Sequence, residues 1–287
     1  MKKEERLVNK IKRLLHQIGA PKRLHRFGPK MYCLWQHIFA LFVKADCCFS
    51  YRRTTYFLRN LGLKVATKST LQRYAAKLRL PFWQRLFAET VSKITDIVCM
   101  DGTSLERSKT SQHYIWRIDG NRHFSKGFHF GIIVGENNKI LSLRLRKRYT
   151  NDMTDARYLA KRLPGKPKII LMDKGYDSEK LHRYFAEQNI WSIAPVKKNW
   201  ANGQLRKKLK DNFPQKLYNK RSRVESTFHA FKQKFGANIN SRNIAPARSE
   251  VYCKTILYNI FFRVIRLLGQ TLRYSNVFID RFLKQMR

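Results

Sequence analysis

Acids are scarce in this 287-residue chain, 19 Asp and Glu against 60 Lys and Arg, so an acid set against an apolar strand calls for a cause. Two are so placed: Asp101 follows Ile97, Val98, Cys99 and Met100, and Asp173 follows Ile169, Ile170, Leu171 and Met172. An ionised carboxylate at the end of a buried strand is costly unless it is paired or binds a metal ion. Either Asp alone reads equally well as the start of a turn, because Asp101-Gly102 and Asp173-Lys174-Gly175 both supply the Gly. As a pair on adjacent strands they favour a metal. A third acid, Glu225, stands in a helical segment where about 100° of rotation per residue puts Tyr218, Arg221 and Lys232 on its face. Beside that stripe run Val224, Phe228, Phe231 and Phe235, an apolar stripe fit to pin the helix to a sheet. Ordinary surface ion pairs would account for the helix, but for neither aspartate. With no HxxxH spacing and no Cys/His cluster, the indicated metal is a hard, oxygen-ligated cation, Mg²⁺ or Mn²⁺.

The spacing Tyr218, two residues, Arg221, three residues, Glu225, six residues, Lys232 resembles the signature around the catalytic glutamate of DDE transposases from bacterial and archaeal insertion sequences, those numbered families four and five. Asp173-Lys174-Gly175-Tyr176 is similar to the Asp-x-Gly-Tyr motif of the second aspartate, and Asp101-Gly102-Thr103 to the first. The resemblance covers residues 96 to about 236. It implies an α/β protein with a ribonuclease H-like catalytic core, a mixed five-stranded sheet with helices, preceded by an all-helical DNA-binding module. It also implies metal-dependent DNA cleavage and strand transfer, with Asp101, Asp173 and Glu225 as catalytic residues and ligands of two Mg²⁺ ions, for which Mn²⁺ would substitute. Tyr218, Arg221 and Lys232 would grip phosphates. The partner would be double-stranded DNA, both the element's terminal inverted repeats and the target, bound by a homodimer in the synaptic complex. Some relatives carry a β-rich insertion before the glutamate helix. Only residues 197–217 fill that interval here, so the chain is similar to the compact members.

The elements that must position these residues follow from periodicity and punctuation. Residues 1–90 are expected to form a helical, helix-turn-helix-like DNA-binding domain: a basic arm with one short helix, then helices over 50–60 and 68–78 around a turn with Gly62. Thr67 or Ser69 caps the second of these, and Thr70, Gln72 and Arg73 would face a groove. A plain three-helix packing unit is the alternative. Residues 91–270 are expected to hold the catalytic domain and 271–287 a basic tail. Strands are predicted at 96–105, 127–135, 140–146, 168–172 and 190–196, the second and third forming a hairpin across Glu136–Lys139. Helices are predicted at 152–163, capped by Asp152 with Asp155 in a loose capping box, at 178–188, at 218–235 and at 251–268.

A formal charge of +41 needs a polyanion, and nucleic acid is the expected one. Between Lys197 and Arg221 nine basic residues, Lys197, Lys198, Arg206, Lys207 and Lys208 among them, face one acid, Asp211, and read as a DNA clamp. Trp191 and Trp200 beside it would stack on a displaced base or, for Trp191, fill core. No stretch reaches the roughly 18 uninterrupted apolar residues of a membrane span, and the five cysteines form no CxxC pair. The expected setting is therefore the cytoplasm, at the nucleoid. Another ribonuclease H-like nuclease and a DNA-binding protein without catalysis are the rival functions; the first lacks the Tyr-Arg-Glu-Lys spacing, and the intact acid triad argues against the second.

Overall fold

The computed structural model describes residues 3–24, 31–91, 94–107, 127–147, 153–197, 203–241 and 243–272, with backbone alone for 3–6, 107 and 262–272. Lys198, Trp200, Asp152 and residues 273–287 lie outside the described residues.

Five helices come first: α1 (Lys3–Gln17), α2 (Leu34–Asp46), α3 (Tyr51–Asn60), α4 (Lys68–Lys77) and α5 (Leu80–Ala88). Side chains set the starts of α3 and α4, the second through Thr67, one of the two caps expected from the sequence. Ser50 accepts from the Arg53 N–H at the head of α3, and Thr67 from the Thr70 N–H at the head of α4, each satisfying a backbone donor that the first turn leaves open. Between α3 and α4 the chain reverses through Gly62 at φ +73°, a left-handed conformation that costs glycine least.

β1 (Ile97–Arg107), β2 (Gly127–Gly135) and β3 (Ile140–Arg146) then form an antiparallel meander. α6 (Met153–Ala160) leads to β4 (Ile169–Met172), and α7 (Glu179–Ala186) to β5 (Trp191–Ile193), both parallel to their neighbours. The sheet order is β3-β2-β1-β4-β5. After α8 (Gln204–Asp211), α9 (Gln215–Tyr218) and α10 (Ser222–Phe235), a two-residue strand, β6 (Asn238–Ile239), pairs with the far end of β1, making a sixth strand the sequence did not announce. α11 (Ile244–Leu272) closes the described chain and starts seven residues before the predicted helix. The predicted helix at 218–235 is broken: Asn219–Arg221 is a 3₁₀ turn, so Tyr218 and Arg221 do not follow the rotation of α10. The capping box expected of Asp152 and Asp155 involves Asp152 and so lies outside the described residues; Asp155 itself is placed in α6. Its buried carboxylate accepts from Arg144 (2.8 Å) and Arg146 (3.0 Å) on β3, a stronger use of a charge than one backbone N–H.

Alternation along β1 splits the core in two. Val98 and Met100 face the layer containing Ala156 of α6 and Phe185 of α7. Ile97, Cys99 and Leu105 face the opposite layer, where Val224, Phe228, Phe231 and Phe235 of α10 are buried. That second layer continues without a break into the N-terminal helices, through Ile11, Phe42, Leu71 and Trp83 to Val251 and Ile256 of α11. Glu250 adds a polar rivet there. It accepts from Lys44 of α2 (3.2 Å), the Ser241 hydroxyl (2.8 Å) and the Asn240 N–H (3.1 Å). Burial alone would raise its pKa, but Lys44, Lys254 and these hydrogen bonds hold it below the ordinary value.

Phe231, 1% exposed and in ring contact with Phe130 and Phe235, is the central anchor of α10. Phe231→Ala is expected to lower stability by about 3–5 kcal/mol through cavity formation, whereas Ser226→Ala, at an exposed position of the same helix, should stay within about 0.5 kcal/mol. Urea unfolding of the two variants measures the difference.

Candidate active site

Parallel pairing aligns Met100 of β1 with Met172 of β4, so the next residues, Asp101 and Asp173, are neighbours across two adjacent strands. With a period of two, both point to the face of Cys99 and Leu171, the layer that α10 covers. The turn reading fails for Asp101, because β1 runs on through Arg107. Asp173 does precede a turn, the 3₁₀ segment Lys174–Tyr176, but that turn uses its backbone carbonyl, which accepts from the Tyr176 N–H at 2.9 Å, and not its carboxylate.

The third acid approaches from above. Cys99 Sγ donates to the Lys220 carbonyl at 3.4 Å, tying the 3₁₀ turn to the strand that carries Asp101. Arg221, at the end of that turn, then reaches both acids: its guanidinium donates to Asp101 Oδ2 at 3.2 Å and to Glu225 Oε1 one helical turn on. The other oxygen of Asp101 accepts from the Gly102 N–H at 2.8 Å. Tyr218 lies 5.9 Å from the Arg221 guanidinium, ring to carbon. Burial pulls the Arg221 pKa down, but Tyr218, Asp101, Glu225 and Asp173 together push it above its ordinary value. Burial likewise raises the Tyr218 hydroxyl, with Asp173 and Asp101 adding to the rise and Arg221 opposing it. Those causes place Tyr218, Arg221 and the three acids in one electrostatic neighbourhood. Lys232 Nζ, two turns beyond Glu225, donates to Thr103 Oγ1 at 2.7 Å. In the sequence Thr103 figures only as part of the first aspartate's motif and carries no role of its own, although it stands two residues after Asp101 and therefore on its face.

Three hard carboxylates suit a divalent cation, and a cationic guanidinium already lies between two of them. Among the described residues, however, no three His, Cys, Asp or Glu side chains stand close enough to hold one ion. Asp101 and Asp173 are set by the sheet, while Glu225, its side chain 57% exposed, is held towards them through Arg221.

The basic segment divides. Lys207, Lys208 and Lys210 are exposed on α8, and Lys197 is half-buried with its N–H donating to Asp177 Oδ2 at 2.8 Å. Arg206 departs from the expected DNA contact. It is 7% exposed and grips Asp177 with two N–H groups, at 2.8 and 2.6 Å, because leaving that buried carboxylate unpaired costs more than a phosphate contact returns. His182, bonded to Ser192 at 2.7 Å, completes this buried knot, and burial lowers its pKa. Trp191 is 48% exposed in a cleft of about 500 Å³ with Lys208 and Asn212. It pairs with Ile169 at the start of β4, the opposite end of the strand from Asp173. Gln72 and Arg73 are exposed on α4, whereas Thr70 is half-buried and bonded to Thr67. His229 is exposed on α10.

A sheet in the order β3-β2-β1-β4-β5 with helices on both faces and acids where its central parallel strands meet defines a ribonuclease H-like α/β protein. Residues 92–260, more than half of the chain, match the model of the transposase DDE domain, and the chain belongs to that family. It is a DNA-cleaving transposase, of a family that generally uses divalent metal ions. Among solved structures it resembles the piggyBac transposase in a synaptic complex with hairpin DNA, at a TM-score of 0.50 and 11% identity over 89% of this chain and 71% of that one. At that identity the likeness is one of fold. A simian T-cell lymphotropic virus intasome in complex with the PP2A regulatory subunit B56 gamma matches at a TM-score of 0.27 and 15% identity, over 66% of this chain and 65% of that one, too distantly to carry an argument. No curated protein matches the chain.

Removing Arg206 strands a buried acid. Arg206→Ala is expected to cost about 3–5 kcal/mol of stability, measured by thermal or urea unfolding, while Lys207→Ala and Lys208→Ala leave stability within about 0.5 kcal/mol.

Proposed function

We propose that Asp101, Asp173 and Glu225 are the catalytic carboxylates of this transposase and together hold two Mg²⁺ ions, replaceable by Mn²⁺. The observation that carries this reading is the β1/β4 register, which brings two acids side by side on one face, with the third drawn to the same guanidinium. Bound there, such ions supply activation of an oxygen nucleophile and neutralisation of charge at phosphorus. The protein's own groups do the rest. Arg221 from the 3₁₀ turn and Lys232 from α10, which bonds Thr103 on the Asp101 face, take the phosphates flanking the scissile bond, Arg as a fork and Lys as a point charge. Tyr218, stacked edge-on against Phe213 at 5.1 Å, presents a neutral hydroxyl beside them. Lys207 and Lys208 on the exposed face of α8 extend the phosphate track with Lys197; Lys198 belongs to the same basic run.

The partner in this reading is double-stranded DNA: the element's terminal inverted repeats, then the target. The structural relative is described in a synaptic complex with hairpin DNA, and joining two ends in one complex favours a homodimer. Residues 1–90 serve as the end-reading module, 91–270 as the catalytic one and 271–287 as a basic tail, in a protein working at the nucleoid. No described helix is long and apolar enough to cross a membrane.

Asp101→Asn, Asp173→Asn and Glu225→Gln are each expected to abolish Mg²⁺-dependent cleavage and strand transfer on end-bearing DNA while leaving DNA binding in place. Normal cleavage by any one of them removes that residue from the set. Because the N-terminal helices share their core with α11, their role is tested by surface substitution and not by deletion. Gln72→Ala or Arg73→Ala should each cost about 1–3 kcal/mol of preference for end DNA over random DNA at fixed salt, read by competition binding. Equal loss on both DNAs would make α4 a phosphate contact only.

A further inference from the structure

Arg221 and Arg206 hold carboxylates in different ways. Arg206 spends two N–H groups on one acid, Asp177, the bidentate pairing of a settled structural ion pair. Arg221 instead divides its fork between two acids on separate elements, Asp101 on β1 and Glu225 on α10. Without a cation between them these acids, with Asp173 beside them, would repel one another. Bridging two such acids is the task a divalent ion would perform.

We infer that Arg221 is a positioning residue that fills the cation position between Asp101 and Glu225 until metal and DNA arrive together. The inference rests on the reading of these acids as metal ligands. If Arg221 stayed in place while two dications entered, five positive charges would face three carboxylates. Transfer of its guanidinium to a phosphate relieves that excess and supplies the remaining negative charge. Release needs no opening of the core, since the Arg221 side chain is 17% exposed and that of Glu225 57%. Metal and DNA therefore bind with positive coupling: the phosphate draws Arg221 off the acids, and by reciprocity the metal frees Arg221 for the phosphate.

The test is Mn²⁺ binding to the full chain without DNA, read from the electron paramagnetic resonance signal of free Mn²⁺. Arg221→Gln is expected to bind Mn²⁺ about fivefold or more tightly than the unaltered protein. Arg221→Lys should fall between, because an ammonium is a compact point charge and not a planar fork, and it carries the test if the Gln variant does not fold. Added guanidinium chloride should weaken Mn²⁺ binding in Arg221→Gln more than the same concentration of NaCl does, and the unaltered protein should show no such difference. Unchanged or weaker Mn²⁺ binding in Arg221→Gln overturns the inference. Asp173→Asn separates the two failures. If it loses Mn²⁺ while Arg221→Gln is unchanged, only the placeholder role falls; if it binds Mn²⁺ normally, the metal site itself falls and the inference with it.

Discussion

Two carboxylates side by side on adjacent parallel strands repel each other, and the register of β1 with β4 leaves them nowhere else to go. Shifting that register by one residue would turn one aspartate into the opposite layer, among Ala156, Leu159 and Phe185, where burying a further carboxylate is costly. The apolar residues that precede each acid hold the register: Cys99 and Leu171 are buried on one face, and Met100 and Met172 on the other. Burial of the strands therefore fixes the site, and the repulsion it creates is what a cation relieves.

The acids also explain why the helix above them must be anchored so heavily. Glu225 is exposed, and its ion pair with Arg221 of the 3₁₀ turn just before its helix is of a kind usually worth less than about 1 kcal/mol. Its position is set instead by the Val224, Phe228, Phe231 and Phe235 stripe on the other side of α10. Each buried aromatic contributes roughly 1.5–3 kcal/mol by area alone. The same aromatic layer receives α2, α4, α5 and α11, so the N-terminal helices are held to the sheet by the core that positions the glutamate.

The two strands that carry the acids were legible because β1 and β4 each open with an unbroken apolar run that an Asp ends. The hairpin was legible because Glu136–Lys139 is polar between two such runs, and Asn138 does take a positive φ of 58° there. The break before α10 was not, since Asn219, Lys220 and Arg221 are each compatible with a helix and the 3₁₀ turn depends on a distant contact, Cys99 Sγ with the Lys220 carbonyl. Arg206 was misread for a related reason. In sequence it is one of a run of basic residues; its partner Asp177 lies 29 positions earlier, and only folding makes that acid the nearer anion.

The contrast between Arg206 and its neighbours shows how a chain of charge +41 uses so few acids. Asp177, Asp155 and Glu250 are buried and each meets at least two basic or hydrogen-bonding groups, so these carboxylates go to holding elements together: α8 to the β4–α7 turn, α6 to β3, and α2 to α11. Asp101, Asp173 and Glu225 are different. Asp101 and Glu225 share one guanidinium, that of Arg221, which also faces solvent, and Asp173 lies in the same electrostatic neighbourhood. In a chain of net charge +41, a cluster of acids works against a phosphate backbone unless cations offset it. On the proposed reading, the local acids and the basic excess elsewhere are two halves of one arrangement: the basic surface would gather DNA, and the site would accept its phosphate once dications had neutralised the acids.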